Sequence, residues 1–362
     1  MVFNLNGLIV SLSSALDFLE MDLLGVASHH ARRVAYVAMQ TARALGLPDD
    51  EVFDTIALAI LHDNGIAASQ GPQTEPDHSR GKLLIAEKAR RHCELGEENL
   101  KGYPFLSRAE GAIKYHHENY DGSGYFGLSG NEIPRISRLI HLADSVELGF
   151  DLRNADYAEK ARIREHIKGA SGKMYAPEDA EAFSEASAHP SFWLDLGDEY
   201  VSAAIHKYAP SYQKEMSLAE IRSATVVFSR IVDSKSRFTR IHSQELSSRA
   251  GRMAERYGMG PDEILKLRIA ADLHDIGKLA VSNSILNKPG KLEASEVDRI
   301  QRHTYYTRKS LERIEGFELI TEWAANHHEK LDGSGYPYGK QAEDLDFNSR
   351  LMVDKGLNLG IF

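Results

Sequence analysis

The chain has 362 residues, and because single hydrophobic cores rarely extend beyond about 300 residues, this length favours two domains. Its net charge of −10 at pH 7 argues against the basic surface that long nucleic acids require, whereas a small anionic ligand is compatible if bound metal ions supply positive charge. One cysteine excludes intrachain disulfides, and no run of about eighteen apolar residues suggests a membrane span, so we expect a cytoplasmic protein.

Helical patterns in two similar halves account for most of the chain. Residues 1–24 and 27–44 predict two helices, and a third is expected to begin at Pro48, where a proline and three acidic residues make a favourable first turn. In the second half, Pro261 begins the corresponding helix in the same way. Because no stretch alternates β-branched and polar residues as strands do, we predict an all-α fold.

A His-His pair followed by a glycine-rich acidic loop is the clearest sequence feature, and it occurs twice. The two copies begin at His116 and His327, which are 211 positions apart. Each is preceded by a His-Asp pair at the end of a predicted helix, and these pairs begin at His62 and His274, 212 positions apart. Two such constellations in register indicate a tandem repeat of one metal-site domain.

The intervals between histidines also agree between the copies. They measure 32 residues from His30 to His62 and from His242 to His274, and 24 residues from His92 to His116 and from His303 to His327. We therefore predict two helical bundles, residues 1–205 and residues 218–362, joined by a linker around residues 209–211.

Imidazole and carboxylate groups in this pattern point to a metal site, because these ligands suit iron, manganese or zinc. Successive side chains on a helix point about 100° apart, so a His-Asp or His-His pair can serve two neighbouring ions more easily than one. A two-metal site bridged by a carboxylate is the arrangement used for in-line hydrolysis of phosphate esters. We therefore predict two divalent metal ions in each copy.

Cys93 follows His92 directly, so its side chain is expected to point about 100° away from that of His92 on the helix. We expect a packed thiol rather than a ligand. Without a thiolate, iron or manganese is the preferred metal, and zinc, nickel, magnesium and calcium are less favoured.

Four motifs of the second copy, between about residues 225 and 350, carry a family resemblance. They are His274-Asp275-Ile276-Gly277-Lys278, Asn287-Lys288-Pro289-Gly290-Lys291-Leu292, His327-His328-Glu329 and Asp332-Gly333-Ser334-Gly335-Tyr336-Pro337. With them the chain resembles the HD-GYP phosphodiesterases, a branch of the HD superfamily of metal-dependent phosphohydrolases. The resemblance implies hydrolysis of a cyclic dinucleotide, with cyclic di-GMP as the first candidate and cyclic GMP-AMP as the second. A dimer or signalling partners are compatible with it.

The resemblance also implies roles for individual residues. The metal ligands of the second copy would be His242, His274, Asp275, His303, His327 and His328, with Asp275 bridging the ions and Asp354 as a candidate closing ligand. The corresponding ligands of the first copy would be His30, His62, Asp63, His92, His116, His117 and Asp144. Lys278 would hold a substrate phosphate and act in catalysis with Asp275, and the other substrate-binding candidates are Lys288, Gly335, Tyr336 and Pro337.

The two copies depart from the family pattern in different ways. In the first, Ile66 stands where Lys278 stands in the second, and Phe126 replaces the proline of the Gly-Tyr-Pro loop. In the second, Asp354 comes two positions earlier in its segment than Asp144 does, which would turn the side chain by about 200° on a helix. We expect catalysis in the second copy and a slower or inert first copy.

Simpler interpretations apply to each motif. A His-Asp pair is often only a hydrogen-bonded helix end, Asp-Gly-Ser-Gly is a common turn, and Lys278 could complement a helix dipole. At the level of function, a regulatory pseudo-enzyme that binds without turnover is one alternative. A nucleotide phosphomonoesterase of the wider HD superfamily is another.

Overall fold

Almost all regular structure in the described part of the chain is helical. The computed structural model describes residues 2–3, 5–24, 28–66, 81–210, 214–235 and 242–353. The one sheet among these residues is an antiparallel pair of two-residue strands, β1 (Val2–Phe3) and β2 (Lys214–Glu215). The all-α prediction is confirmed, and neither His-Asp pair lies in a strand.

The helices of the first half match the sequence pattern closely. They are α1 (Leu5–Leu24), α2 (His30–Ala44), α3 (Asp49–Ile60), α4 (Gly81–Asn99), α5 (Arg135–Gly149), α6 (Tyr157–Ala170), α7 (Pro177–Ala186), α8 (Pro190–Leu194) and α9 (Val201–Tyr208). Helix α2 begins later than predicted, at His30, and residues 25–27 lie outside the described residues. Helix α3 begins directly after Pro48, as predicted, with three acidic residues in its first turn.

The second half has corresponding helices at its three histidine-bearing or acidic starts, His242, Pro261 and His303, and additional short helices between them. It contains α10 (Leu218–Lys235), α11 (His242–Arg256), α12 (Pro261–Leu273), α13 (Asn283–Leu286), α14 (Ala294–Gln301), α15 (His303–Leu311), α16 (Glu318–Ala325) and α17 (Phe347–Val353). A short 3-10 helix, Ile276–Ala280, follows α12. None of the described helices combines the length and apolarity needed to cross a membrane.

Helix α1 connects the two halves. It packs against α2 and α3 in the first half, and against α15 and the 3-10 helix Ile276–Ala280 in the second. Its side chains Leu8, Ile9 and Leu12 are fully buried. They belong to one contiguous cluster of buried apolar side chains that draws on both halves. The first helix therefore contributes to the packing of both halves.

The expected linker falls between two helices. Helix α9 ends at Tyr208 and α10 begins at Leu218, and residues 211–213 lie outside the described residues. The division into residues 1–205 and 218–362 stays a prediction.

A glycine after each His-Asp pair lets the turn pack closely against the helix that carries the next histidine. At Gly277, an added Cβ would overlap the carbonyl oxygen of His303 and lie 2.7 Å from the amide nitrogen of Thr307. At Gly65, an added Cβ would overlap the carbonyl oxygen of His92 in the same way. Because the overlapped atoms belong to backbone, they cannot move aside, and a larger residue would push the turn away from the helix.

Replacing Gly277 by alanine tests this packing. We expect Gly277→Ala to destabilise the protein by about 3 kcal/mol, at the upper end of overpacking effects, because the added methyl group meets backbone. Thermal unfolding followed by circular dichroism measures the change.

Gly169→Ala is the matched control. Gly169 lies in α6 with no atom within 4 Å of the position of an added Cβ, so the same substitution should be neutral or stabilise by about 0.5–1 kcal/mol. Equal effects of the two substitutions would contradict a special role of the Gly277 contact.

Candidate metal centres

Several elements bring the ligand candidates of the first copy together. His30 is the first residue of α2, His62 and Asp63 lie in the turn after α3, His92 lies on α4, His116 and His117 precede the glycine-rich loop, and Asp144 lies on α5. All of these side chains are buried except that of His117, which is half-buried. The predicted ligand set is thus assembled at one place in the core.

The carboxylate of Asp63 lies between two groups of ligands. Its Oδ2 atom is 3.5 Å from Nε2 of His62, and its Oδ1 atom is 3.5 Å from Nε2 of His92 and 3.9 Å from Nε2 of His116. The two groups are His30, His62 and Asp144 on one side, and His92, Cys93, His116 and His117 on the other. Each carboxylate oxygen of Asp63 thus faces a different group. A carboxylate placed in this way could bridge two metal ions.

The ligand imidazoles at helix ends share one orientation. His62 donates a hydrogen bond from Nδ1 to the carbonyl of Ala59 (2.8 Å), and His116 donates from Nδ1 to the carbonyl of Ile113 (2.6 Å). The second copy repeats this with His274 to Ala271 (2.8 Å), His303 to Ile300 (2.6 Å) and His327 to Ala324 (2.7 Å). Because a carbonyl can only accept, Nδ1 carries a proton and Nε2 faces the other candidate ligands, as in metal-bound histidine.

Two buried atoms of the first group face each other without an ordinary hydrogen bond within the described residues. Nε2 of His62 and Oδ1 of Asp144 are both buried, make no hydrogen bond within the described residues and lie 3.5 Å apart. Burial acts to raise the pKa of Asp144, but His30 and His62 hold it well below its usual range. Burial likewise opposes a charged His62, yet Asp63 and Asp144 raise its pKa to about 9. An ionised carboxylate among imidazoles fits a divalent cation.

Burial disfavours the charged form of five other imidazoles in the two centres. Burial lowers the pKa of His116, His117 and His327 well below the usual range. It lowers the pKa of His303 to about 3 and that of His328 to about 2. Neutral imidazole is the form that coordinates metals, so these residues need not lose a proton first.

Asp275 holds the corresponding central place in the second copy. Its Oδ1 atom lies 3.4 Å from Nε2 of His303 and 3.8 Å from Nε2 of His327. Its Oδ2 atom lies 3.1 Å from Nε2 of His274 and accepts a hydrogen bond of 2.7 Å from Nζ of Lys278. Although burial opposes it, His274 and Lys278 hold the pKa of Asp275 well below its usual range.

Among the described residues, the candidate ligands for one of the two ions of the second centre are all present. His303, His327 and His328 form one group, and His274 and Asp275 share a second group with His327. His242 begins α11, but its side chain lies outside the described residues, as does Asp354. Their predicted roles as ligands stay predictions.

A buried glutamate after each His-His pair organises the glycine-rich loop. Glu329 accepts hydrogen bonds from the amides of Tyr338 (2.8 Å) and Lys340 (2.9 Å), and Glu118 accepts them from Phe126 and Leu128 (both 2.7 Å). Gly335 lies so close that an added Cβ would be 2.5 Å from Cα of Glu329. Gly335 therefore has a structural reason to be glycine, and its substrate role stays a prediction.

The other substrate candidates of the second copy have different surroundings. The ring of Tyr336 stacks on the ring of His328, with centroids 4.8 Å apart, and Pro337 follows it. Nζ of Lys288 pairs with the carboxylate of Glu296 at 2.7 Å. In the first copy, the residue at the position of Lys278 is the buried Ile66, which carries no ammonium group. These substrate roles also stay predictions.

Two side chains near the first centre were not anticipated. Glu147 contacts Nδ1 of His30 and also binds Arg33, whose Nε donates to it at 2.8 Å. Cys93 is buried as expected, but its Sγ lies 3.5 Å from Nε2 of His92 and belongs to the ligand group. The spacing of Glu147 three residues after Asp144 could have suggested it. Nothing in the residue pattern pointed to Cys93, because side-chain divergence on a helix argued against it.

Comparison with known proteins agrees with this geometry. The sequence profile of the HD domain family ("HD domain") matches residues 19–168 and 226–353. The chain is 30% identical to 3′3′-cGAMP-specific phosphodiesterase 1 of Vibrio cholerae, over 97% of this chain and 81% of the relative. It is 26% identical to 3′3′-cGAMP-specific phosphodiesterase 3 of the same organism, over 97% of this chain and 85% of the relative.

A shorter match and a solved structure complete the comparison. The cyclic di-GMP phosphodiesterase response regulator RpfG of Xanthomonas campestris is 36% identical over 30% of this chain and 30% of its own length. The crystal structure of a cyclic GMP-AMP specific phosphodiesterase of V. cholerae (V-cGAP3) has the same fold, with a TM-score of 0.68 at 22% identity over 99% of both chains. The chain therefore belongs to the HD domain family, in the HD-GYP branch whose motifs its second copy carries.

Proposed function

We propose that the chain is a metal-dependent phosphodiesterase that hydrolyses a cyclic dinucleotide in its second copy. The observation that carries the proposal is Asp275, whose two oxygens face different imidazoles while Lys278 lies beside it. Such a carboxylate with a neighbouring ammonium group suits a phosphate ester held next to two metal ions. The relatives that match nearly the whole chain are named as phosphodiesterases, which supports this reaction class.

Among cyclic dinucleotides, we propose 3′3′-cGAMP as the preferred substrate. The relatives that align with 97% of this chain are named as 3′3′-cGAMP-specific, whereas RpfG, named for cyclic di-GMP, aligns with 30% of it. This order reverses the one that the sequence resemblance implied.

Each copy offers residues for two metal ions. In the first copy, one ion would be held by His30, His62, Asp144 and Oδ2 of Asp63, and the other by His92, His116, His117 and Oδ1 of Asp63. In the second copy, His303, His327, His328 and Oδ1 of Asp275 would hold one ion, and His274 with Oδ2 of Asp275 would contribute to the other. His242 and Asp354 would complete that second set by family resemblance. Iron or manganese remains our preferred metal in the second copy.

The chain's own residues would orient the reaction. Bound metal ions would supply Lewis acidity and a water molecule whose pKa is lowered to near 7. Hydrolysis consumes one water and breaks one bond between phosphorus and a 3′ oxygen, which leaves with a proton, so the product is a linear dinucleotide. Nζ of Lys278 lies 2.7 Å from Oδ2 of Asp275, so its ammonium group stands where it could also donate to a phosphate oxygen held beside that carboxylate. Lys278 would then stabilise the charge that develops on the phosphate oxygens.

The first copy would hold metal without contributing much turnover. Ile66 provides no charge where Lys278 stands, and Phe126 packs edge-on against Tyr115 in the loop where the second copy has Pro337.

A second candidate function, a regulatory protein that binds without turnover, is favoured by one observation. Within the described residues, the full ligand set is present in the copy that lacks the lysine.

Paired ligand variants test which copy is the enzyme. We expect His274→Ala to abolish hydrolysis of 3′3′-cGAMP, because it removes an imidazole beside Asp275, while His62→Ala retains most of the activity. Turnover is measured by chromatography of the nucleotide products, and metal content is measured for each variant. Loss of turnover in His62→Ala alone would place catalysis in the first copy, and no turnover by the wild-type protein would favour the regulatory function.

Lys278→Ala tests the substrate lysine. We expect roughly a hundredfold or greater loss in turnover, because an ammonium group that stabilises the transition state is removed, with the metal content unchanged. Lys309→Ala is the matched control, since Lys309 is exposed and paired with Glu312 on the surface. If Lys278→Ala changes turnover no more than Lys309→Ala does, Lys278 does not act on the substrate.

A comparison of substrates tests the specificity and the remaining alternative. We expect kcat/KM to be highest for 3′3′-cGAMP, lower for cyclic di-GMP and negligible for a mononucleotide phosphomonoester. Steady-state rates on all three compounds with the same preparation give the order. A higher value for the phosphomonoester would replace the proposal by the phosphomonoesterase alternative.

A further inference from the structure

We propose that Sγ of Cys93 is a metal ligand, which gives the first copy a softer metal site than the second. The inference depends on metal binding by the first copy, as proposed above, but not on hydrolysis of a cyclic dinucleotide. Cys93 is fully buried on α4, and its ligand group is otherwise composed of His92, His116 and His117.

The distances fit coordination of a single ion. Sγ of Cys93 lies 3.5 Å from Nε2 of His92, and all four ligand atoms of the group lie within 4.8 Å of one another. For zinc bonds of about 2.3 Å to sulfur and about 2.0–2.1 Å to nitrogen at tetrahedral angles, sulfur and nitrogen are separated by about 3.5 Å. The thiol also lies 3.8 Å from Nδ1 of His116, a nitrogen that already donates to Ile113. The thiol thus lies among imidazoles.

The second copy has a different residue at this position. Thr304 lies 211 positions after Cys93 and follows His303 as Cys93 follows His92. Its side chain is buried, and its hydroxyl donates a hydrogen bond to the carbonyl of Gln301 (3.0 Å), the last residue of α14. The corresponding group of the second copy therefore contains His303, His327 and His328 without this fourth donor. The thiol is a difference between two otherwise matching sites.

The charged groups near the two centres also favour tighter cation binding in the first copy. The second copy has the ammonium group of Lys278 at 2.7 Å from its central carboxylate, whereas the first copy has Ile66 at that position. A thiolate would add a negative charge to the first site, where Ile66 places no positive charge at the position of Lys278. We expect the first site to bind its cation more tightly and to favour zinc over iron or manganese, because thiolate is a soft ligand.

Cobalt binding provides a direct readout. A cysteine thiolate bound to Co²⁺ gives an intense charge-transfer absorption in the near ultraviolet, which nitrogen and oxygen ligands do not give. Because Cys93 is the sole cysteine of the sequence, any such band from the intact metal-free protein titrated with Co²⁺ comes from it. We expect the band to grow in proportion to added Co²⁺ up to one ion per chain.

Four variants assign the band to the proposed site. Cys93→Thr, which copies the second half, should lose the band and release zinc to a competing chelator at least about tenfold more readily. His116→Ala should also lose the band, although its thiol is intact. Introducing Thr304→Cys into the Cys93→Thr protein should restore a band from the second copy, and Cys93→Ser provides a second thiol-free protein should the threonine disturb folding.

The outcomes separate this inference from the proposed function. Co²⁺ bound in full stoichiometry without the band in the wild-type protein would overturn the role of Cys93 and leave hydrolysis unaffected. A band that survives His116→Ala would also overturn it, since the thiolate would then be binding elsewhere. The band together with no turnover on any cyclic dinucleotide would support the thiolate ligand and contradict the proposed function.

Discussion

The glycine contact at each His-Asp turn sets the position of the central carboxylate in both halves. Gly277 lies against the backbone of His303, and its amide donates to Oγ1 of Thr307 (3.1 Å), which in turn donates to the carbonyl of His274 (2.9 Å). These bonds join the turn after α12 to α15. Asp275 lies in this turn. The distance between its carboxylate and His303 therefore depends on the contact of Gly277 with the backbone of His303, which a single added methyl group would disturb.

Helix ends supply the second organising feature of the centres. Several ligand histidines lie one turn beyond a carbonyl that has no partner further along the helix, and they satisfy it through Nδ1. The same bond fixes the ring so that Nε2 faces inward, which removes most of the orientational freedom of a histidine before any ligand binds. Buried glutamates then hold the glycine-rich loops over the rings, as Glu329 does through the amides of Tyr338 and Lys340.

Much of the fold and of the candidate ligand sets could be predicted because the sequence contains two similar copies whose motifs can be compared with each other. Equal intervals between histidines identified His92 and His303, and their proximity to Asp63 and Asp275 in space agrees with that reading. The proximity of the Cys93 thiol to His92 could not be predicted, because the angle of about 100° between neighbouring side chains describes where they leave a helix and not where their ends converge. The spacing of Glu147 after Asp144 is visible in the sequence, but its contacts with His30 and Arg33, more than 110 positions away, depend on tertiary packing.

The position of helix α1 limits how the two halves can change over evolutionary time. Its apolar side chains are buried between α2 and α3 on one side and α15 with the 3-10 helix Ile276–Ala280 on the other. Deleting the first half would leave the turn that carries Lys278 without this covering helix. The second half therefore depends on the first for part of its packing. A half that is needed for packing can still differ from its partner in the residues around its own centre, as it does where Cys93 stands in place of Thr304.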